Sequence, residues 1–190
     1  MGYGALMDIG NTLIAVGMHS RLGLTLAFFS LFARPFSLGL MAVGVSGLLR
    51  MRSDGYDGLE ALRGIGWKAP WSTAALACGG LSLAELPVGV GFTWRWALYR
   101  TLALSKPGLA LLSLLAGAGL VFGLWHALSM LLARPRLPKD RSIISLGPSE
   151  GWLTAVVVAL AIGGCALSGV FPQVLALPAA RLAEAYVYLP

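Results

Sequence analysis

The sequence predicts an all-α integral membrane protein of about five transmembrane helices, and three observations carry that prediction. Of the 190 residues, 57% are hydrophobic and only 12% charged, with a mean hydropathy of +0.79, far above what a water-soluble domain needs to fill its core. Polar clusters divide the chain into five apolar runs, each near or above the roughly 20 residues that a helical span requires. The runs are continuously apolar and rich in Leu, Ala and Gly, whereas barrel strands alternate in segments of about ten residues, so helices and not a barrel are expected.

The first run, Tyr3–His19, is short and carries Asp8 and Asn11, which makes it a poor solitary helix and predicts that it packs against protein. Its opening, "MGYGALMDIGNTL", lacks a basic stretch followed by a small-residue cleavage site, so no removable signal peptide is expected. The second run, Leu22–Leu49, contains Arg34 before Pro35. Proline weakens a helix and disfavours the helical conformation of the residue before it, so Arg34 is expected to mark the true start of this span, with Phe28–Phe32 at the interface. The third run, Trp71–Leu104, is 34 residues long, too long for one straight crossing. Within it Pro87 removes a donor and Gly89 and Gly91 relax the backbone, so a broken helix is expected at Pro87. The fourth run, Gly108–Ala133, carries His126. The fifth, Trp152–Leu177, has no charge after Glu150 and reads as scaffold. The tail, residues 179–190, has the mixed polar and apolar character of an interfacial helix or a contact with a neighbour. The longest polar connection, Arg50–Pro70, has room for a short interfacial segment but no core of its own, so residues 1–190 read as one transmembrane domain.

Five spans put the Arg50–Pro70 and Arg134–Arg141 connections on the same side as the N-terminus. Between them they hold Arg50, Arg52, Arg63, Lys68, Arg134, Arg136, Lys139 and Arg141, against mainly Arg21, Arg100, Lys106 and Arg181 on the other side. The positive-inside rule then predicts a cytoplasmic N-terminus and an outside C-terminus in a bacterial-type inner membrane. The net charge of +6 is loop charge that orients the chain and can sit beside anionic lipid, so no nucleic-acid partner is needed to explain it. Cys78 and Cys165 fall inside apolar runs without CxxC or Cys/His spacing and read as buried free thiols, not as metal ligands or a disulfide. With no Gly-rich nucleotide loop and no Ser/His/Asp set, neither a cofactor nor a catalytic site is expected in this chain.

Ionisable groups at bilayer depth cost about 2.5–3.5 kcal/mol each on insertion scales, so each asks for a partner, a hydrated cavity or a role. Asp8, Arg34, Glu85, Arg95 and His126 qualify. Asp8 reads either as a carboxylate hydrating a helix end near the interface or as an ion-pairing or proton-relay group. Glu85 lies fourteen residues after Trp71, about 21 Å along a helix, and is too short to reach either surface, which favours a paired or hydrated carboxylate. Arg95, flanked by Trp94 and Trp96, is either a cation snorkelling in an interfacial aromatic belt or a deep cation facing the broken helix. His126 suits a proton shuttle as well as it suits a packed, hydrogen-bonded ring.

"LSLAELPVGVGFTWRWALYR" resembles the "SLAGxPPxxGFxxKxxL" signature of the antiporter-like, proton-translocating membrane subunits of respiratory complex I. Glu85 stands for the usual Gly, Val88 for the second Pro, and Arg95 for the Lys. "DGYDGLEALRGIGWKAPWSTAALACGGLSLAELP", "GYGALMDIGNTLIAVG" and "GVFPQVL" are similar to further family segments in the same order, with Asp8 at a position usually His or Gln. The resemblance implies that the five spans correspond to the last five of fourteen, half of an inverted-repeat fold. It also implies that Arg95 lies on the outward half of a proton path, where Arg stays charged and Lys can lose its proton. The expectation is a truncated antiporter-like subunit in the membrane arm of an NADH:quinone oxidoreductase, contributing to or scaffolding proton translocation beside other membrane-arm subunits. One of these would supply the missing first repeat. The alternatives are a subunit of a related cation/proton antiporter or membrane-bound hydrogenase, and a purely structural membrane subunit.

Overall fold

A computed structural model describes residues 2–51, 63–84, 89–133 and 150–187. Among them are seven α-helices and one 3-10 turn, and no strand. In chain order these are α1 (Gly2–Gly17), α2 (Arg21–Arg50), the 3-10 turn (Ile65–Trp67), α3 (Pro70–Leu83), α4 (Val90–Ser105), α5 (Pro107–Leu131), α6 (Trp152–Val170) and α7 (Gln173–Val187). The expectations placed on Glu85 and Pro87 lie outside the described residues.

Local chemistry explains where the helices start. The α1–α2 turn is made by His19, in the left-handed region at φ 48°, whose ring Nδ1 donates to the Gly17 carbonyl at 2.9 Å. Ser20 then caps α2, its hydroxyl accepting from the Gly23 amide at 3.0 Å, the usual service of a serine at this position. Pro70 and Pro107 open α3 and α5, where a missing N–H costs nothing and the fixed φ suits a first turn.

Helix α2 runs through Arg34–Pro35 without ending, which corrects the expectation that Arg34 marks the start of a span. Helices α1, α3, α4, α6 and α7 all pack on α2, and Ala33, Ser37 and Leu40 are buried around the proline. Tertiary contact thus outweighs the local preference, as it commonly does for proline in membrane helices. Arg34 stands thirteen residues from Arg21 and sixteen from Arg50, about 20 and 24 Å from the two ends, which is mid-helix.

The Trp71–Leu104 run is divided between α3 and α4. Gly89 and Gly91 have no positive φ; what they supply is room. A Cβ on Gly89 would stand 2.6 Å from Ser82 Cα, and one on Gly91 would run into the Ser82 carbonyl, so the start of α4 folds directly against the end of α3. Close approach also joins α3 to α2, where a Cβ on Gly79 would lie 2.6 Å from the Met41 amide nitrogen. Small residues at such crossings are how membrane helices pack. The last apolar run is likewise divided: α6 ends at Val170, and α7, which contains Pro178, begins at Gln173.

Among the described residues three helices, α2, α5 and α6, are long and apolar enough to cross a membrane. The outer faces of α5 and α6 expose Leu112, Phe122, Trp125, Leu153, Leu160 and Leu167. Apolar patches of that kind call for lipid or a partner. The interior is filled by an α2–α4 core around Phe29, Trp94 and Leu98, and by a second cluster around Leu48, Ile65, Leu76 and Leu131.

Candidate functional site

Three charged side chains from three helices meet in the interior. Asp8 of α1 is 3% exposed and each of its carboxylate oxygens accepts from a different arginine. Arg34 Nε of α2 donates to Oδ2 at 2.6 Å, and Arg95 Nη2 of α4 donates to Oδ1. Arg95 is 1% exposed, lies 5.1 Å from the centre of the Trp94 ring, and donates through Nη1 to the Leu83 carbonyl. That carbonyl ends α3 and has no partner within its own helix. The guanidinium fork therefore ties a broken helix end and a buried carboxylate together, a geometry that suits Arg and not Lys.

Around this centre the polar contacts continue. Arg34 Nη2 donates to Thr12 Oγ1 at 2.8 Å, the Thr12 hydroxyl donates to the Asp8 carbonyl one turn back, and Ser30 Oγ lies 3.0 Å from it. A second polar seam begins at Ser82, beside Leu83: its hydroxyl is 2.7 Å from Ser37 Oγ and accepts from Cys165 Sγ at 3.6 Å. A cavity of about 150 Å³ bordered by Phe92, Arg95, Trp96 and Tyr99 of α4 and Leu114 of α5 opens next to the arginine. The buried atoms Asn11 Nδ2, Thr93 Oγ1 and Ser113 Oγ have no hydrogen-bond partner among the described residues. Buried polar atoms of this kind are ordinarily satisfied by water.

Of the residues singled out in the sequence, Asp8 and Arg95 come together, and Gly91 stands where a Cβ would be 3.8 Å from Arg95 Nη1. Gly89 shapes the same junction. His126 does not join them: it is exposed on α5, and its carbonyl accepts from Ser129. Three contributors were not assigned a site role from the sequence. Arg34 was read as a helix start, although its depth within a long apolar run was a signal. Thr12, one turn after Asp8, carried no distinctive mark. Glu150 acts at another place: its carboxylate accepts from the Trp71 and Ser72 amides at 2.9 and 2.8 Å and from the Ser72 hydroxyl. These are free donors at the start of α3. Helix α3 thus has an anion at its N-terminus and a cation at its C-terminus, as its dipole favours. Both cysteines are free. Among the described residues no three His, Cys, Asp or Glu side chains converge as metal ligands would.

Helices of this length and apolarity, with a charged cluster enclosed among them, define a multi-pass, all-helical membrane protein. No family model matches the chain. It is 30% identical over 180 residues to NADH-quinone oxidoreductase subunit N 1 of Solidesulfovibrio magneticus, covering 92% of this chain and 37% of that protein. It is 25% identical over 180 residues to NADH-quinone oxidoreductase subunit N of Ectopseudomonas mendocina, covering 91% and 35%. The Solibacter usitatus subunit N 1 matches at 24% over 172 residues, 90% of this chain and 35% of that protein. The chain is homologous to subunit N of NADH-quinone oxidoreductases, and it spans about a third of the length of these relatives.

Proposed function

We propose that this chain is an antiporter-like subunit of the membrane arm of an NADH:quinone oxidoreductase, in which Asp8, Arg34 and Arg95 form a fixed electrostatic element on a proton path. The observation that carries the reading is the buried Asp8–Arg95 contact at the junction of α3 and α4, in a chain homologous to subunit N over nine-tenths of its length. Broken helices at membrane depth are the means by which transport proteins build ion sites from freed carbonyls and side chains. Here the freed Leu83 carbonyl is held by Arg95. An arginine stays protonated at any physiological pH, so Arg95 biases the path electrostatically and does not carry the proton itself.

In this reading α1, α2, the α3–α4 pair, α5 and α6 make five crossings, with the N-terminus cytoplasmic by the charge of the loops, and the chain forms half of an inverted-repeat fold. From its sequence position beside Pro87, Glu85 is proposed as a further carboxylate of the same path, whereas His126, exposed on α5, is proposed to face lipid or a neighbouring subunit. The test is NADH-driven proton uptake in inverted vesicles. Asp8→Ala or Arg95→Ala should lower the protons moved per NADH oxidised, while quinone reduction continues. Full proton yield in both variants, together with weakened assembly, would mean that the chain is a structural subunit.

A further inference from the structure

Away from the charged cluster, a slot of about 650 Å³ lies between α1, α2, α3 and α5. Its walls are almost wholly apolar, carrying Met41 and Val45 from α2, Leu76 from α3 and Leu124 from α5. Glycines make the space: Gly4, Gly80, Gly119 and Gly123 all line it, and a Cβ on Gly123 would meet nothing within 4 Å. On α5 the lining runs from Gly119 to Leu131, about 18 Å of helix, close to the roughly 15 Å of hydrocarbon in one leaflet. A dry apolar void of this size forfeits the dispersion contacts of its walls, and water has no partners inside it.

One end of the slot is formed by Leu48 and Leu49 of α2 and Met130 and Leu131 of α5, and that end is basic. Arg50 follows Leu49. The Gly64 amide donates to the Met130 carbonyl at 3.2 Å, which places Arg63 beside the last turn of α5, and Lys68 ends the 3-10 turn. Arg63 Nε is buried and has no hydrogen-bond partner among the described residues, whereas Arg50 and Lys68 are exposed. A carboxylate at this end of the bundle, that of Glu150, is already held by the start of α3. The described residues at this end therefore present cations, one of them with a buried donor unmet among those residues, above an apolar channel one leaflet long.

We infer that the slot holds an acyl chain of an anionic phospholipid whose phosphate is received by Arg63, with Arg50 and Lys68 beside it. A guanidinium is the side chain best matched to phosphate oxygens, and basic pockets between membrane helices are where anionic headgroups settle. Neither a free phosphate nor a neutral lipid satisfies both halves of the site.

The test uses the full chain, extracted with whatever it assembles with, stripped of lipid, and supplied with phosphatidylglycerol or phosphatidylcholine of identical acyl chains. Native mass spectrometry counts the lipid retained. Phosphatidylglycerol should be held in preference, by about fivefold for each basic residue that contributes. Gly123→Phe, which fills the slot, should abolish retention of both lipids. Arg63→Gln, at the surface end, should reduce phosphatidylglycerol toward the phosphatidylcholine level without loss of the latter. Equal retention of the two lipids by the unaltered chain, full retention by Gly123→Phe, an undiminished preference in Arg63→Gln, or an isoprenoid quinone displacing the phospholipid would each overturn the inference.

Discussion

The Asp8 carboxylate is shared by two guanidiniums, Arg34 and Arg95. Desolvating three charges is expensive, and their attraction offsets that cost only while the geometry holds. Removing one partner of a buried pair commonly costs about 3–5 kcal/mol, because the other charge stays behind. Asp8→Asn and Arg95→Gln should therefore each destabilise the chain strongly. Because both remove the same contact, the double variant should cost less than the two added together by about 1 kcal/mol or more. Reversible unfolding in mixed detergent or bicelles measures the cycle; strictly additive costs would show that the contact is not made. Arg95→Lys should keep the charge yet destabilise, since one ammonium does not reproduce the fork that spans Asp8 Oδ1 and the Leu83 carbonyl. At this scale the sequence could be read only in part. It showed Asp8 and Arg95 as charges in need of an explanation, but they stand 87 residues apart, and no local pattern marks a contact over that distance. Arg34 was harder, because the proline after it is an ordinary helix-start signal and here it is overruled by the five helices that pack on α2.

Among the elements, α3 links the Glu150 carboxylate to the charged cluster at Arg95. It is short, and both of its ends are held by charges from other segments: Glu150 accepts from the Trp71 and Ser72 amides, and Arg95 donates to the Leu83 carbonyl. A carboxylate cap of this kind contributes about 0.5–2 kcal/mol. Glu150→Ala should speed hydrogen exchange at the Trp71 and Ser72 amides and let the first turn of α3 fray, whereas Glu150→Gln should do so to a lesser degree. Unchanged exchange at both amides would show that the cap does not form. Helix boundaries followed what the sequence offers as local chemistry. The run of 34 residues, too long for one crossing, was read as divided, whereas Ser20, Pro70 and Pro107, which open helices by local chemistry, were not singled out. The division at Phe171–Pro172 was not visible, because "GVFPQVL" keeps its apolar character through the break, and hydropathy does not register a change of direction. Gly89 and Gly91 were visible as unusual, but as flexible residues. Their use as clearance for Ser82 depends on how α4 folds back and is not encoded nearby.

For the whole molecule, composition decides the solvent and packing decides the rest. The apolar faces left on α5 and α6 would be a liability in water but are ordinary in lipid or against neighbouring subunits, and the charges that would be costly there are turned inward onto one another. The class of protein could be read from hydropathy, and the homology to subunit N agrees with the family resemblance read around Leu81–Arg95. Which charges meet in the interior required the fold. If this chain works, as proposed, as one membrane-arm subunit of a quinone-reducing assembly, an affinity tag placed on it in its native membrane, followed by gentle extraction, should retain NADH:quinone oxidoreductase activity. The expected result is a large multisubunit assembly that carries that activity; a chain recovered alone, monodisperse and stable in detergent, with no such activity attached, would contradict the proposal.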